Sequence, residues 1–276
     1  MALTYKTLSK KPLIFLRLLG INVEVFREIS TEVERGWKKE IEAKKKRHGR
    51  TGNLKTFDDK LLALFLYYRT YITHEFIGYL LGLDNSNICR LFKKLEPLVA
   101  RKISIKRDSS LSHDEVVKVL LDVTEQPTQR PKYGQRKSYS GKKKRHSIKT
   151  EVVMGDAGRI LMVSRSAKGR VHDFRIRKEG KHLPCNSEKY ADSGYQGLQR
   201  LVSGVTLPFK GTKRRPLTYE QKKHNRNLAS FRARIENKIR ELKIFKIMSQ
   251  VYRNFQKKHN MRFNIIAGMV NLSHGF

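Results

Sequence analysis

The spacing of apolar residues in the first part of the chain is that of α-helices. Few helix-breaking residues occur between Val23 and Arg47, so this stretch is predicted to be helical. The basic run Lys44–Arg50 closes it, and is either the solvated end of the helix or a contact for phosphate groups. Thr51–Asn53 interrupts the pattern, which predicts an N-terminal helical region over residues 1–53.

Two further helices are predicted between residues 54 and 82. Thr56 can cap the first, and Asp58 and Asp59 then lie in its first turn, where the helix dipole favours negative charge. The apolar residues of this helix cover a wide arc, which predicts that the helix is buried. Thr73 can cap the second helix in the same way.

A third helix follows a glycine turn. Gly82 suits the tight turn, and the next helix is expected to begin at Asp84 or Asn85 and to end at Pro97. Helix, glycine turn and helix is the spacing of a helix-turn-helix, so residues 54–107 are predicted to be an all-α domain of this kind. An ordinary helical subdomain with a polar exterior is the alternative. If the domain is a helix-turn-helix, four residues on the outward N-terminal face of the third helix could reach base edges: Asn85, Ser86, Asn87 and Arg90.

The pattern changes to that of β-strands beyond residue 107. Val116–Leu121 is almost continuously apolar, as in a strand that is covered on both faces. His146–Met154 and Ile160–Val163 are separated by a turn sequence and are predicted to form a hairpin. Another strand is expected to end at Ala191.

The C-terminal part mixes one more strand with long helices. Leu207–Phe209 could form a last short strand, and from Thr218 the pattern is helical to about Phe255. Ile265–Leu272 predicts a final apolar helix. Strands interleaved with helices predict a mixed α/β domain over residues 112–276, preceded by the all-α domain.

The charge of the chain indicates a polyanionic partner. Its 276 residues carry a net charge of +35, far more than solubility requires. A surplus of this size favours nucleic acid, because neutralising phosphates releases condensed counterions. No uncharged span of about 18 residues is present to cross a bilayer, so a membrane partner is not expected.

The cysteines do not form a metal-binding pattern. Cys89 and Cys185 are far apart, and His182 near Cys185 has no second pair of ligands to complete a zinc site. A reduced protein of the cytoplasm is therefore expected.

Three acidic residues occupy positions that suit a catalytic metal site. Asp122 and Asp192 each end an apolar run and are expected at the carboxyl ends of strands, where sites of open α/β sheets gather. Glu236 lies on a late helix that is otherwise rich in cations. Carboxylate oxygens are the ligands that Mg²⁺ prefers, so the three acids suggest Mg²⁺ acting on nucleic acid.

The helix around Glu236 has a second interpretation. Arg232, Glu236 and Arg240 are spaced four residues apart, which could simply form a ladder of ion pairs that stabilises the helix by about 0.3–0.5 kcal/mol per pair. The helix alone favours this interpretation, and the rest of the chain favours the metal site.

Several segments together resemble a known family. Asp122-Val123-Thr124 is similar to an Asp-x-Thr motif, and Asp192-Ser193-Gly194-Tyr195 to an Asp-x-Gly-Tyr motif, of the DDE-type transposases of bacterial and archaeal insertion sequences. Arg232, Glu236 and Lys243 match three positions of the family's Tyr-x2-Arg-x3-Glu-x6-Lys motif, and Ala229 stands in place of its tyrosine. Two further segments are also similar to family segments: Tyr139–His146 and Gly169–Asp173.

The resemblance covers residues 54 to 272 and implies a helix-turn-helix followed by a ribonuclease H-like catalytic domain. It implies that Asp122, Asp192 and Glu236 bind two Mg²⁺ or Mn²⁺ ions. Water would cleave a phosphodiester at each end of the element, and the freed 3′-hydroxyl would attack target DNA without ATP or a covalent protein–DNA intermediate. Arg232 and Lys243 would hold DNA near the metals, and a homodimer is expected because two ends must be brought together.

Other residues keep open roles. The basic run Lys142, Lys143, Lys144 and Arg145 is either a solvated loop or, as its place near the first acid favours, a contact for a DNA strand. Asp173 could cap a helix or assist at the site, and Glu125 could support the site or be a polar loop residue. The alternatives to a transposase are a DNA-binding protein without catalysis, including a decayed transposase, and a basic RNA-associated protein.

Overall fold

A computed structural model describes residues 3–43, 52–105, 118–180, 182–184 and 187–276. The basic run Lys44–Arg50, Cys185 and the residues Val116 and Val117 of the predicted first strand lie outside these ranges. The chain forms two compact units. The helical unit comprises Met1–Ser104, Lys243–Gln250 and Met261–Phe276, and the sheet unit comprises Ile105–Leu242 and Val251–Asn260. The division into three domains stays a prediction.

Eleven α-helices occur in the described residues, and most of them belong to the helical unit. They are α1 (Tyr5–Leu8), α2 (Pro12–Leu19), α3 (Val23–Trp37), α4 (Phe57–Thr70), α5 (His74–Leu81), α6 (Asn85–Ile103), α7 (Gln135–Ser138), α8 (Asp173–Lys178), α9 (Tyr219–Ile244), α10 (Lys246–Ser249) and α11 (His259–Ser273). A π-helical turn at Lys38–Glu42 continues α3, and 3₁₀ turns occupy Ser193–Tyr195, Leu198–Arg200 and Gln256–Lys258.

Local capping signals are confirmed in the helical unit. Thr56 and Thr73 lie at the N-caps of α4 and α5, where each hydroxyl accepts a hydrogen bond from a backbone N–H. Asp84 is the N-cap of α6, and its carboxylate accepts from the backbone N–H of Ser86 at 2.8 Å. Gly82 ends α5 with a φ of 63°, a left-handed conformation that glycine adopts without strain.

Helix α4 forms the centre of the helical unit. Its side chains from Leu61 to Tyr68 are buried, as its wide apolar arc predicts. The ring of Phe26 lies edge-on to Phe15 and Phe65, with centroids 5.3 and 5.8 Å apart.

Helix α6 extends beyond the predicted end at Pro97. It continues to Ile103, because Leu98, Val99 and Ile103 are buried and packing outweighs the hydrogen bond that proline removes. Glu96, fully buried, accepts a 2.6 Å hydrogen bond from the Nε of Arg262 within the same unit.

The sheet unit holds seven strands in its described residues. They are β1 (Lys118–Pro127), β2 (Tyr139–Ser140), β3 (Arg145–Gly155), β4 (Ile160–Val163), β5 (Ala167–Lys168), β6 (Glu188–Tyr190) and β7 (Val205–Thr206). The main order is β2-β3-β1-β6-β7, and β4 and β5 also pair with β3. β1, β3 and β4 are antiparallel, whereas β6 and β7 continue the sheet in parallel.

The first strand is longer than predicted. Asp122 lies inside β1, opposite Val152 of β3, and does not end the strand. The apolar run does stop there, but pairing with β3 continues to Pro127 and keeps Thr124 and Gln126 buried. Long-range pairing therefore set the strand's length.

Two C-terminal boundaries also differ from the predictions. The last strand, β7, precedes the predicted Leu207–Phe209. The long helix α9 ends at Ile244 and not near Phe255, because the buried Phe245 adopts an extended conformation. The final helix, α11, is confirmed. In the described residues, no helix combines the length and the apolar character needed to span a bilayer.

Candidate functional site

The first two acids lie at the same level of the sheet. β1 and β6 run in parallel, with Leu120 opposite Tyr190. Continuing this register by two residues sets Asp122 level with Asp192, where β6 has ended and the chain leaves the sheet. Neighbouring strands are about 4.8 Å apart, and the charge of Asp192 acts on Asp122, so the two carboxylates lie in the same region of the sheet unit.

A glycine is required beside Asp192. The Oδ1 of Asp192 accepts a 2.8 Å hydrogen bond from the backbone N–H of Gly194 and so caps the 3₁₀ turn that follows. A Cβ at Gly194 would lie 2.9 Å from this oxygen and 2.9 Å from the Oδ2 of Asp173. The Asp-x-Gly spacing thus allows two carboxylates to approach one backbone position, which brings Asp173 close to the site.

Glu236 projects from helix α9 towards solvent. Its neighbours Ile235 and Ile239 are buried and fix the helix on the sheet unit. Among the described residues, Glu236 forms no ion pair with Arg232 or Arg240, and Arg240 instead donates to Asn237 at 3.0 Å. The ion-pair ladder considered from the sequence is therefore absent in this part of the chain.

Arg232 is directed at the first acid. Its Nη2 lies 3.9 Å from the Oδ1 of Asp122, and both side chains are largely buried. The Nε of Arg232 is buried and has no acceptor among the described residues. The guanidinium therefore keeps one buried N–H donor that is not satisfied within the described residues.

The electrostatics of Asp122 connect all three acids. Burial raises the pKa of Asp122 to about 6, Arg232 opposes this rise, and the charges of Asp192 and Glu236 add to it. Glu236 is thus close enough to act on Asp122 through its charge. A raised carboxyl pKa with a nearby cation is typical of functional sites.

A buried network supports the second acid and was not found from the sequence. Tyr195, three residues after Asp192, donates from its hydroxyl to Glu151 Oε1 at 3.0 Å. Arg177 of α8 donates to the other oxygen of Glu151 at 2.9 Å, and all three side chains are buried. Burial raises the pKa of Glu151 and of Tyr195. The sequence did carry one signal for this network, because Glu151 is a charged residue within the apolar stretch of a predicted strand.

The structure also gives the positions of Asp173 and Glu125, for which the sequence left two roles open. Asp173 is the first residue of α8 and not its cap, and its Oδ1 accepts a 2.9 Å hydrogen bond from Lys149 of β3. Glu125 lies in β1, so it is not a loop residue, and it accepts a hydrogen bond from Ser147.

The described residues contain no cluster of three or more His, Cys, Asp or Glu side chains arranged to hold one metal ion. This absence is compatible with Mg²⁺, which uses one or two carboxylates and completes its shell with water and phosphate oxygens.

The predicted helix-turn-helix face is exposed. Asn85, Ser86, Asn87 and Arg90 all face solvent in the first turns of α6. Gly78 of α5 allows the turn to form, because a Cβ there would overlap the carbonyl oxygen of Leu83. Sequence reasoning missed this glycine, because its need arises from contact with the turn.

The other predicted DNA contacts are separated along the chain. Lys142, Lys143 and Lys144 form the exposed turn between β2 and β3, and Arg145 begins β3. Lys243 is half-buried near the end of α9, in the helical unit. Their binding roles stay predictions.

Family models match both parts of the chain. Residues 121–272 match the DDE superfamily endonuclease family, and residues 52–105 match the helix-turn-helix of DDE superfamily endonucleases.

Two curated relatives are similar over most of their length. The "Probable transposase for insertion sequence element IS702" of Microchaete diplosiphon is 36% identical over 262 residues, which are 93% of each chain. The "Putative transposase for insertion sequence element IS112" of Streptomyces albus G is 26% identical over 231 residues, 82% of this chain and 84% of the relative. No solved structure matches the chain significantly.

Proposed function

This chain belongs to the DDE-type transposases of insertion sequences, and on that ground we propose that it binds the ends of its element and catalyses metal-dependent cleavage and transfer of DNA strands. We assign the sheet unit to the ribonuclease H-like fold. The mixed sheet, with antiparallel strands continued by two parallel ones and flanked by helices, supports this assignment.

One observation carries the proposal. Asp122 and Asp192 share a level of the sheet, and the charge of Glu236 reaches Asp122 from helix α9. The three acids are far apart in the sequence, so their coupling arises from the fold. In a chain of net charge +35, three acids that act on one another through their charges are better suited to holding a metal cation than to contacting DNA directly.

The donor set fits Mg²⁺ or Mn²⁺. All three side chains offer hard oxygen ligands, so Asp122, Asp192 and Glu236 would hold the ions. Two bound ions would supply activation of the attacking oxygen and stabilisation of the leaving one during displacement at phosphorus.

The chain's own residues prepare this site. Asp122 must lose its proton to act as a ligand, and its pKa of about 6 allows this at neutral pH. Arg232 steadies the ionised Asp122 through its positive charge. The cationic surface of α9 would hold the DNA backbone beside the acids.

Residues other than the three acids would bind the DNA. We propose that Asn85, Ser86, Asn87 and Arg90 read the element ends, and that Lys142–Arg145 and Lys243 contact phosphates. A homodimer would bring the two ends together. Because DNA is the proposed substrate, the cytoplasm is the proposed location.

The test is strand cleavage and strand transfer on DNA carrying the element ends, with Mg²⁺. Asp122→Asn, Asp192→Asn and Glu236→Gln should each reduce both reactions to background while leaving DNA affinity unchanged. Glu220→Gln is the matched control, because Glu220 is an exposed residue of the same helix and should keep full activity.

A second measurement does not depend on activity. Mg²⁺ should raise the Tm of the wild-type chain and of Glu220→Gln, but not that of Asp122→Asn, because a ligand that binds the folded state stabilises it. Full turnover by any of the three acid variants would remove that residue from the site. Binding of element ends without cleavage by the wild-type chain would favour a non-catalytic DNA-binding protein.

A further inference from the structure

We propose that a pocket at the β2–β3 hairpin binds one unpaired deoxynucleotide of the DNA strand that the site acts on. This hairpin pocket has a volume of about 660 Å³ and is lined in part by Arg130, Arg136, Tyr139, His146 and Arg170. The inference rests on the proposed function and names a nucleotide subsite for it.

The pocket has a built aromatic wall. Tyr139 of β2 is paired with His146 of β3, and their rings meet edge to face with centroids 5.5 Å apart. Gly169 lets a neighbouring segment close against the hairpin, since a Cβ there would overlap Ser147. Glycine at this position thus keeps Arg170 beside the pocket.

The charge around the pocket selects an anion. Three arginines line it, and no acidic residue is among the described residues of its lining. The turn Lys142–Lys144 adds exposed cations at the same hairpin. A guanidinium binds phosphate oxygens with two parallel hydrogen bonds, so the arginines suit a phosphodiester.

The aromatic wall adds a preference for a base. Tyr139 is 41% exposed, so its ring is accessible for stacking. The ring of His146 packs edge-on against it and supports its position. A small anion would use the arginines and leave the exposed ring of Tyr139 without a function.

The size of the pocket suits a single nucleotide. Its volume lies within the ~300–1,000 Å³ typical of small-ligand pockets. An intact double helix is too wide to enter such a space, whereas one nucleotide turned out of the stack fits it.

One side of the pocket is formed by β3, the strand that pairs with β1 and its Asp122. His146 and Val152 are six residues apart on β3, and Val152 is opposite Asp122. At the rise of a strand this separation is about 20 Å. A DNA strand could therefore follow β3 from the pocket to the acids.

The experiment compares binding of three fluorescein-labelled DNA probes to the full chain without metal. The probes are a duplex of mixed sequence, the same duplex with one unpaired central nucleotide, and the single strand. The wild-type chain should prefer the two probes with unpaired bases. Tyr139→Ala should weaken binding of these two about tenfold and leave the duplex unchanged, because base stacking is lost.

Two variants control for loss of the fold. Tyr139→Phe keeps the ring and should retain wild-type affinity for the unpaired probes. Tyr133→Ala removes a tyrosine of the same segment that is 79% exposed and is not part of the described lining, so it should change nothing. Arg136→Ala should reduce the slope of log affinity against log salt concentration by about one for the unpaired probes.

Distinct outcomes overturn the inference and the proposed function. Equal weakening of all three probes by Tyr139→Ala, or no weakening, overturns the pocket while the duplex affinity still supports a DNA-binding transposase. Failure of the wild-type chain to bind any DNA probe overturns both. A 2-aminopurine base at the unpaired position should be quenched on binding wild type and not on binding Tyr139→Ala.

Discussion

The Nη2 of Arg232 lies 3.9 Å from the Oδ1 of Asp122, so a cation from helix α9 faces the acid on strand β1. This contact opposes burial, which raises the pKa of Asp122 to about 6. Arg232 therefore favours the ionisation of Asp122, against the larger opposing effect of burial.

Removing this cation should move the acid limb of the pH–activity profile. Arg232→Ala takes away an interaction that lowers the pKa of Asp122, so this pKa should rise above about 6 and cleavage should fail at a higher pH than in the wild-type chain. The measurement is cleavage rate against pH at saturating Mg²⁺. Arg226→Ala, an exposed arginine of the same helix, should leave the limb in place. An unshifted limb in Arg232→Ala would show that another group governs it.

Neutralising the central acid should stabilise the protein at neutral pH. The pKa of Asp122 is raised from 3.8 to about 6 on folding, so the unfolded chain ionises first and the free energy of unfolding decreases as pH rises through this window. Asp122→Asn removes this penalty and should be more stable above pH 6 by on the order of 2 kcal/mol without metal. Urea unfolding at pH 4 and pH 7.5 checks it, with no gain expected at the lower pH. A gain of equal size at both pH values would point to packing and not to ionisation.

Tyr195 should act through the buried network and not by contact with DNA. Tyr195→Phe removes the donor to Glu151 Oε1 and leaves a buried carboxylate oxygen short of a partner. We expect a loss of roughly 1–2 kcal/mol in the free energy of unfolding and slower cleavage, since Asp192 lies three residues away on the same turn. Tyr190→Phe is the control, because the Tyr190 hydroxyl pairs with Glu188 at an exposed position and should matter less. Unchanged unfolding and cleavage in Tyr195→Phe would exclude a positioning role.

Features of the fold that depend on nearby residues were predictable from the sequence. The caps at Thr56 and Thr73 and the left-handed Gly82 follow from local hydrogen bonding and backbone freedom. The extension of β1 past Asp122 was not predictable, because it depends on pairing with residues of β3 that lie 20 to 28 positions further along the chain. A local apolar pattern cannot report that partner.

The candidate site likewise has features that were predictable from the sequence and features that were not. Asp122, Asp192 and Glu236 could be chosen from their places in motifs, but the level at which Asp122 and Asp192 meet is set by the register of two parallel strands. Glu151 was overlooked because its partners come from α8 and from the turn after Asp192. These contacts exist only once distant segments pack.

Gly78 should be essential for the turn of the predicted helix-turn-helix. A side chain at this position would overlap the carbonyl oxygen of Leu83, so Gly78→Ala should lower the free energy of unfolding by about 1–3 kcal/mol. Gly36→Ala is the matched control, because its Cβ would meet only Leu98 Cδ2 at 3.5 Å and a helical alanine should stabilise by about 0.5–1 kcal/mol. Chemical unfolding of both variants measures the difference. Equal changes in the free energy of unfolding for the two variants would mean that the turn accommodates a side chain at position 78 without cost.

Arg90 should contribute one phosphate or base contact when element ends bind. It is exposed on α6, where its Nη1 donates to Asn87 at 3.2 Å, so the two side chains present a joint polar surface. Arg90→Ala should weaken binding of element ends and reduce the slope of log affinity against log salt by about one. Lys10→Ala is the control. It removes an exposed cation that lies in the helical unit but outside α6, and it should leave the slope unchanged. If Arg90→Ala weakens end and random DNA equally, Arg90 contacts only the backbone, and an unchanged affinity for both would remove this face from DNA binding.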